Sequence, residues 1–223
     1  MSETLFDARV TATLDRLHEL AKGDRWVFLR GAPSALWSVL TGGTMLDGIT
    51  PYLKDAYIPI TPDQGRFLYL SARLIQARTI VEFGTSFGIS TLYLAAAVKD
   101  NGGGVVVGSE LDASKHAKAR EHLRQAGLEE LTDIRLGDAL QTLASVEGPI
   151  DMVLLDGWKD SYLPVLKLLQ PKLKPRAIVL ADNIFRFKRA LRTYVEYVQS
   201  GTNGFVSSTL EIADGFELSV FTG

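Results

Sequence analysis

Residues 79–90, TIVEFGTSFGIS, decide the fold. Thr79 to Phe83 is a short apolar run with strand-forming residues, Gly84 to Gly88 is a glycine-bounded turn, and residues 88–98 have the texture of a helix. Such a turn lets the backbone approach a ligand, and the helix N-terminus that follows favours anionic groups. The glycines are spaced G-x-x-x-G, whereas a dinucleotide fold shows G-x-G-x-x-G with its pyrophosphate cradle. A nucleotide-like cofactor of another kind is expected, with Glu82 placed to meet the positive amino group of a methionine moiety.

Downstream the texture repeats. Strand patterns over 105–110, 133–136, 152–156 and 177–181 alternate with helical ones over 113–126, 139–146, 163–173 and 188–199. Alternating units of this kind require a mostly parallel sheet covered by helices on both faces, a Rossmann-like, doubly wound α/β fold. Two last runs, 204–212 and 216–222, are joined by Ala213, Asp214 and Gly215, which reads as a hairpin turn, so a seven-stranded sheet should close on an antiparallel C-terminal strand. Upstream, Thr61, Pro62, Asp63 and Gln64 read as N-cap, first-turn proline, first-turn acid and capping-box partner, ahead of an apolar face at Phe67, Leu68, Leu70, Leu74 and Ile75. Val10, Leu14, Leu17 and Ala21 fall at helical spacing, a second short helix is expected over 33–40, and Gly42 and Gly43 break the pattern. Residues 1–60 are read as N-terminal helices and a lid, and 61–223 as the α/β unit of the same domain.

The chain has 223 residues, enough for one large domain, and a formal net charge of −2, which offers no strong field for polyanions. A nucleic-acid partner is not suggested. The absence of cysteine excludes disulfides, thiolate metal sites and a cysteine nucleophile, so a metal would be held by oxygen or by one of three histidines. Polar and acidic residues occupy the start, where a signal peptide would carry a basic and then an apolar run, and no uninterrupted apolar stretch reaches about 18 residues. A cytoplasmic protein without a membrane partner is the expectation.

Acidic side chains stand at the expected strand ends. Glu110 follows the second strand, where a carboxylate can grip both hydroxyls of a ribose, and Asp138 follows the third, where it could take an adenine amino group. Each also has a plainer role: Gly84 and Gly88 as turn glycines, Glu110 as a solvated strand end, Asp138 as a helix N-cap. Three such residues at successive strand ends favour the ligand reading, because open α/β sheets bind ligands there.

The fourth strand runs into Asp156-Gly157-Trp158-Lys159-Asp160-Ser161-Tyr162 and the fifth into Ala181-Asp182-Asn183. Both emerge on the same edge of a parallel sheet, so Asp156, Asp182 and Asn183 can converge. Two carboxylates and an amide oxygen suit a hard divalent cation such as magnesium. A hydroxyl that meets such an ion ionises more easily, and Lys159 would accept its proton once the cation and partial burial disfavour the charged amine. An Asx turn at Asp182-Asn183 and a loop-capping role for Lys159 are the plainer alternatives.

Residues 81–90, the segment 156–162 with its pattern D-x-W-K-D-x-Y, and the triplet Ala181-Asp182-Asn183 resemble the magnesium-dependent class I methyltransferases, especially the catechol O-methyltransferase-like O-methyltransferases of family 3. The resemblance covers residues 55–223. It implies S-adenosylmethionine as methyl donor, with contacts from Glu82, Gly84, Ser86, Ser90, Glu110, Asp138, Asp156 and Trp158. It implies metal ligation by Asp156, Asp182 and Asn183, base catalysis by Lys159, and a small hydroxyl-bearing acceptor, catechol-like, in contact with Lys159, Asn183 and Glu217. Glu217 enters because Asp214-Gly215-Phe216-Glu217 looks like the family's D-G-L-E.

There are departures. Gly157 replaces a histidine of the animal enzymes, and Ala139-Leu140 replace polar residues near the adenine. The same mechanism could serve a hydroxycinnamoyl thioester, a natural product or a modified tRNA nucleoside, although an isoelectric point near 5.9 disfavours tRNA. From other classes, a nicotinamide dehydrogenase would leave Asp156, Lys159, Asp182 and Asn183 without a task, and a non-catalytic cofactor-binding module would retain affinity without turnover. Trp37, Met45, Tyr57, Phe185, Arg186 and Phe187 are candidate walls of the acceptor pocket, and the N-terminal helices would suit a contact between two copies of the chain.

Overall fold

The computed structural model describes residues 3–23 and 60–223. The helix expected over 33–40, the break at Gly42 and Gly43, and the wall candidates Trp37, Met45 and Tyr57 lie outside the described residues. Seven strands form one sheet: β1 (Thr79–Phe83), β2 (Val105–Glu110), β3 (Thr132–Leu136), β4 (Ile150–Leu155), β5 (Leu173–Ala181), β6 (Phe205–Leu210) and β7 (Phe216–Phe221). Their order is β3-β2-β1-β4-β5-β7-β6. Strands β1 to β5 are parallel, and β7 runs antiparallel to both β5 and β6, as the hairpin signal around Ala213 to Gly215 requires.

Side-chain alternation along the strands builds two cores. Ile80, Val106, Met152, Leu154, Leu180 and Phe216 face one side of the sheet, together with residues of α1 (Ala8–Gly23), α2 (Pro62–Leu74), α3 (Ile89–Asp100) and α4 (Ala113–Gln125). Val81, Phe83, Val153, Leu155, Val179 and Ala181 face the other, against α5 (Ala139–Thr142), α6 (Tyr162–Leu169) and α7 (Arg192–Gln199). On α1 the spacing of Val10, Leu14, Leu17 and Ala21 puts all four on one buried stripe. Helix α3 differs: Ile89 to Val98 are buried without interruption, so it is covered on every side and sits inside the layer. Among the described residues no helix is long and apolar enough to cross a membrane.

Several elements depart from the sequence expectation: the helix expected over 139–146 ends at Thr142, and three others differ at their bounds. Helix α6 stops at Leu169 and tightens into a 3-10 turn over Gln170–Lys172, where Pro171 has no N–H to continue the helical ladder. Strand β5 starts at Leu173 and not at 177: it pairs Ile150 with Leu173, then jumps to Met152 with Ile178, and the bulge absorbs Pro175, which has no N–H to give. The helix expected from 188 begins only at Arg192, since residues 184–191 form turns.

The chain order along the sheet reverses between β1 and β4, the position at which open α/β sheets form a crevice beyond their carboxyl ends.

Candidate functional site

A cavity of about 840 Å³ opens beyond the carboxyl ends of β1 to β5. Gly84 and Ser86 reach it from the turn after β1, Glu110 from the end of β2, Asp138 from beyond β3, Asp156, Trp158 and Lys159 from beyond β4, and Asp182 and Asn183 from beyond β5. Of the twelve residues singled out from the sequence, these nine come together. Glu82, Ser90 and Glu217 do not line the cavity.

The turn after β1 is held by backbone and by Glu110. The Glu110 carboxylate accepts the Ser86 N–H at 2.7 Å and the Asp112 N–H at 2.8 Å, so it locks the turn while facing the cavity. Gly84 has φ +98°, and a Cβ there would lie 2.6 Å from Cα and N of Gly157. The loops after β1 and β4 thus pass each other backbone to backbone. Gly157 is fixed in turn by the Phe83 ring, which a Cβ would meet at 2.5 Å; any side chain there, histidine included, requires Phe83 to move. Gly84→Ala should cost about 2–4 kcal/mol by combining a disfavoured φ with a clash against backbone. The drop in the denaturation midpoint measures it, and an unchanged midpoint would mean the two loops can separate freely.

Glu82 lies beneath the turn, fully buried. On β1 it shares a face with Ile80, towards α3, where three hydroxyls donate to it: Ser90 Oγ at 2.5 Å, Thr91 Oγ1 at 2.5 Å and Thr85 Oγ1 at 3.0 Å. Burial outweighs these bonds and pushes its carboxyl up to about 7. Its proton is therefore favoured by folding: the contribution to stability is full below the unfolded value of about 4.5 and is lost as pH rises through about 7. Between pH 8 and pH 6 the ligand-free protein should gain about 1 kcal/mol from this group, or roughly 2–4 °C in melting temperature. Glu82→Gln should make the slope shallower, leaving the part that Asp182 contributes, and an unaltered slope in the variant would assign the titration elsewhere.

Asp138 caps α5, accepting the Leu140 N–H at 2.7 Å, and at the same time borders the cavity. Leu111, Leu140 and Trp158 also line it, and each is a large apolar side chain with 43% or more of its surface exposed. Such side chains form apolar walls suited to a flat ring.

At the other end of the cavity two carboxylates stand close together. Burial, and then the charge of Asp156, raise the Asp182 carboxyl to about 8. Asp156 is also raised, by burial, with Lys159 opposing the shift. The Lys159 amine lies 3.4 Å from Asp156 Oδ1 and donates to the Tyr162 hydroxyl at 2.7 Å. It also lies over the Phe187 ring, 5.5 Å from the centroid. The Tyr162 hydroxyl donates onward to the Asp182 carbonyl at 3.3 Å, and its ring is wedged edge-on against Phe83 and Tyr194. Asn183 adopts φ +66°, a conformation that asparagine tolerates better than most residues, and its N–H and side-chain amide both donate to the Asp182 carboxylate. At this end of the cavity Asp182, buried, and Asp156, partly buried, face the amine of Lys159, so among the described residues two acids have one near cation. A divalent cation fits that deficit and this oxygen donor set.

Glu217 is a correction to the sequence reading. It is fully buried on β7, where Ser207, Thr209 and Gln199 all donate to its carboxylate. Its oxygens are taken by β6 and α7, with none directed at the cavity. Of the expected wall residues, Arg186 and Phe187 line the cavity, while the Phe185 ring covers Gly215.

Gln64 was legible only as a capping residue. It lines the cavity and donates to Asp182 Oδ1 at 2.8 Å, a contact across 118 residues that no local pattern signals.

A family model described as a methyltransferase domain matches residues 81–184. A catechol O-methyltransferase of Niastella koreensis is 34% identical over 64% of this chain and 66% of its own length. One of Mycobacterium tuberculosis is 34% identical over 58% of each chain. The chain thus aligns with less than two thirds of the length of these relatives. Among solved structures, an O-methyltransferase from Bacillus cereus in complex with SAH superposes with a TM-score of 0.70, covering 92% of this chain and 100% of that one at 23% identity, which speaks for the fold.

Proposed function

We propose that this chain is a class I O-methyltransferase of the family 3 type and that it moves the methyl group of S-adenosylmethionine to a hydroxyl of a small, catechol-like acceptor with the aid of a divalent cation. The observation that carries this reading is a shared cavity in which cofactor-type residues from β1 to β3 meet the paired acids and lysine of β4 and β5.

Glu110 suits the ribose hydroxyls, Asp138 the adenine edge, and Leu111, Leu140 and Trp158 the flat faces of the base. Gly84 and Ser86 let the backbone approach the methionine end, and Ser90 and Glu82 support that turn from below. Asp156, Asp182 and Asn183 would hold the cation, which when bound lowers the pKa of a hydroxyl that meets it. Lys159 takes the proton that the acceptor hydroxyl loses. The resulting oxygen anion forms its bond to the methyl carbon as the carbon–sulfur bond breaks, leaving S-adenosylhomocysteine. Charge is neutralised in that step, so the buried setting of Asp182 and the apolar wall at Phe187 favour it over a wet site.

The acceptor is proposed as an aromatic with adjacent hydroxyls, in keeping with the names of the two bacterial relatives. Labelled S-adenosylmethionine and a panel of hydroxyl compounds, with and without magnesium, test the whole reading. A labelled methyl ether that appears only with the cation supports it. Tight binding of NAD in place of S-adenosylhomocysteine would overturn it, as would methyl transfer that persists in excess chelator.

A further inference from the structure

Gln64 stands in the first turn of α2 and is 3% exposed. Its two amide atoms have separate partners. Oε1 accepts the Thr61 backbone N–H at 2.8 Å, which closes the capping box, and Nε2 donates to Asp182 Oδ1 at 2.8 Å. The chemistry fixes the orientation of the amide, because a backbone N–H needs an acceptor and a carboxylate needs a donor. Asp182 Oδ1 also accepts the Asn183 N–H at 2.6 Å, while among the described residues Oδ2 accepts only the Asn183 side-chain amide, at 3.0 Å. Oδ1 is therefore occupied by two neutral donors, and Oδ2 has capacity to spare.

We infer that Gln64 is a positioning residue for the cation site: it ties the carboxylate of Asp182 to the start of α2 and so presets the oxygen left over for a metal. The inference rests on the divalent-cation reading above. A neutral donor suits the task, since it orients the carboxylate without cancelling the charge that the cation needs. Losing a hydrogen-bond partner of a metal ligand typically weakens metal binding by about 10–100-fold.

The test uses Mn²⁺ as the probe, with free ion measured by electron paramagnetic resonance and stability by thermal melting, on the whole protein and on Gln64→Met, Thr61→Ala and Asp182→Asn. Asp182→Asn should weaken Mn²⁺ binding most, which locates the site. Gln64→Met should raise the dissociation constant about 10–100-fold, with binding recovered at saturating Mn²⁺. Thr61→Ala removes the hydroxyl that accepts the Gln64 N–H, so it should lower the melting temperature and leave Mn²⁺ affinity within about threefold of the parent. Parental affinity in Gln64→Met would overturn the inference while the cation reading stands, and an equal loss in Thr61→Ala would reduce the effect to helix stability and overturn it too. A parent protein that binds no Mn²⁺, or an Asp182→Asn variant that binds it undiminished, would overturn the cation reading and this inference together.

Discussion

Lys159→Met is expected to lower the rate of methyl transfer by about 10²–10⁴-fold at saturating cofactor and acceptor, the range over which a positioned proton acceptor acts. Lys159 is the residue whose amine lies within reach of both the proposed metal ligands and the acceptor space: 3.4 Å from Asp156 Oδ1, 2.7 Å from the Tyr162 hydroxyl, and facing the ring of Phe187. Its side chain is only 13% exposed, so bulk water is a poor substitute for it. Methionine keeps an unbranched stem that ends at the position of Cε, with sulfur in place of one methylene, and removes the amine. The loss should therefore appear in the rate at saturation, with S-adenosylhomocysteine affinity changed little, because Glu110, Asp138 and Trp158 reach the cavity from other loops. Single-turnover rates measured with a compound that the parent methylates provide the check. A rate within about threefold of the parent would show that the acceptor ionises without help from this amine, and the base would have to be sought elsewhere.

Lys159 and its neighbours could be read from the sequence because each follows a strand whose direction is dictated by the alternating pattern. Once five strands are parallel, the residues just past their ends must share one edge of the sheet, and Gly84, Glu110, Asp138, Asp156 and Asp182 do so. Which way a side chain turns at that edge is a finer question. Glu217 and Glu82 both sit within strands, where a one-residue step changes the face. Glu82 falls on the face covered by α3 and is enclosed by hydroxyls. Glu217 pairs with Ala181 across the ladder, yet α7 and β6 close over its carboxylate, and nothing in the motif D-G-F-E shows where a helix begun at Arg192 will pack. Gln64 failed in the opposite sense. Its local signal, the capping box, is satisfied in full, and a residue with one evident role gave no reason to look for a second partner on β5. Local chemistry along the chain is strongly patterned, whereas contacts across many residues depend on packing that no short window records.

Asp182→Asn is expected to separate stability from activity. In the parent, burial raises the carboxyls of both Asp182 and Asp156, and the charge of Asp156 adds to the rise at Asp182, which reaches about 8. A carboxyl raised in this way contributes stability that is full below its unfolded value of about 3.8 and lost as pH rises through about 8, so near neutrality and above the ligand-free fold bears an ionisation it resists. Asparagine keeps the shape and an oxygen for the Gln64 amide without that charge, and the metal-free variant should melt at a higher temperature than the parent at pH 8. A cation reverses the balance. Bound to the folded state alone, it stabilises the parent in proportion to the logarithm of its concentration, while the variant has given up a full negative charge on the ligand set and should show little shift. Methyl transfer should fall roughly 10³-fold or more, because a bound metal ion is worth several kcal/mol in stabilising the developing charge. Melting curves with and without magnesium, set beside initial rates, read both effects on one pair of proteins. If the variant were less stable without metal, the carboxylate of Asp182 would be serving the fold itself; if it kept parental turnover, the two acids would not be holding a catalytic cation. A steadier protein that no longer works is the expected combination, because on the proposed reading the two acids serve a cation and not the fold.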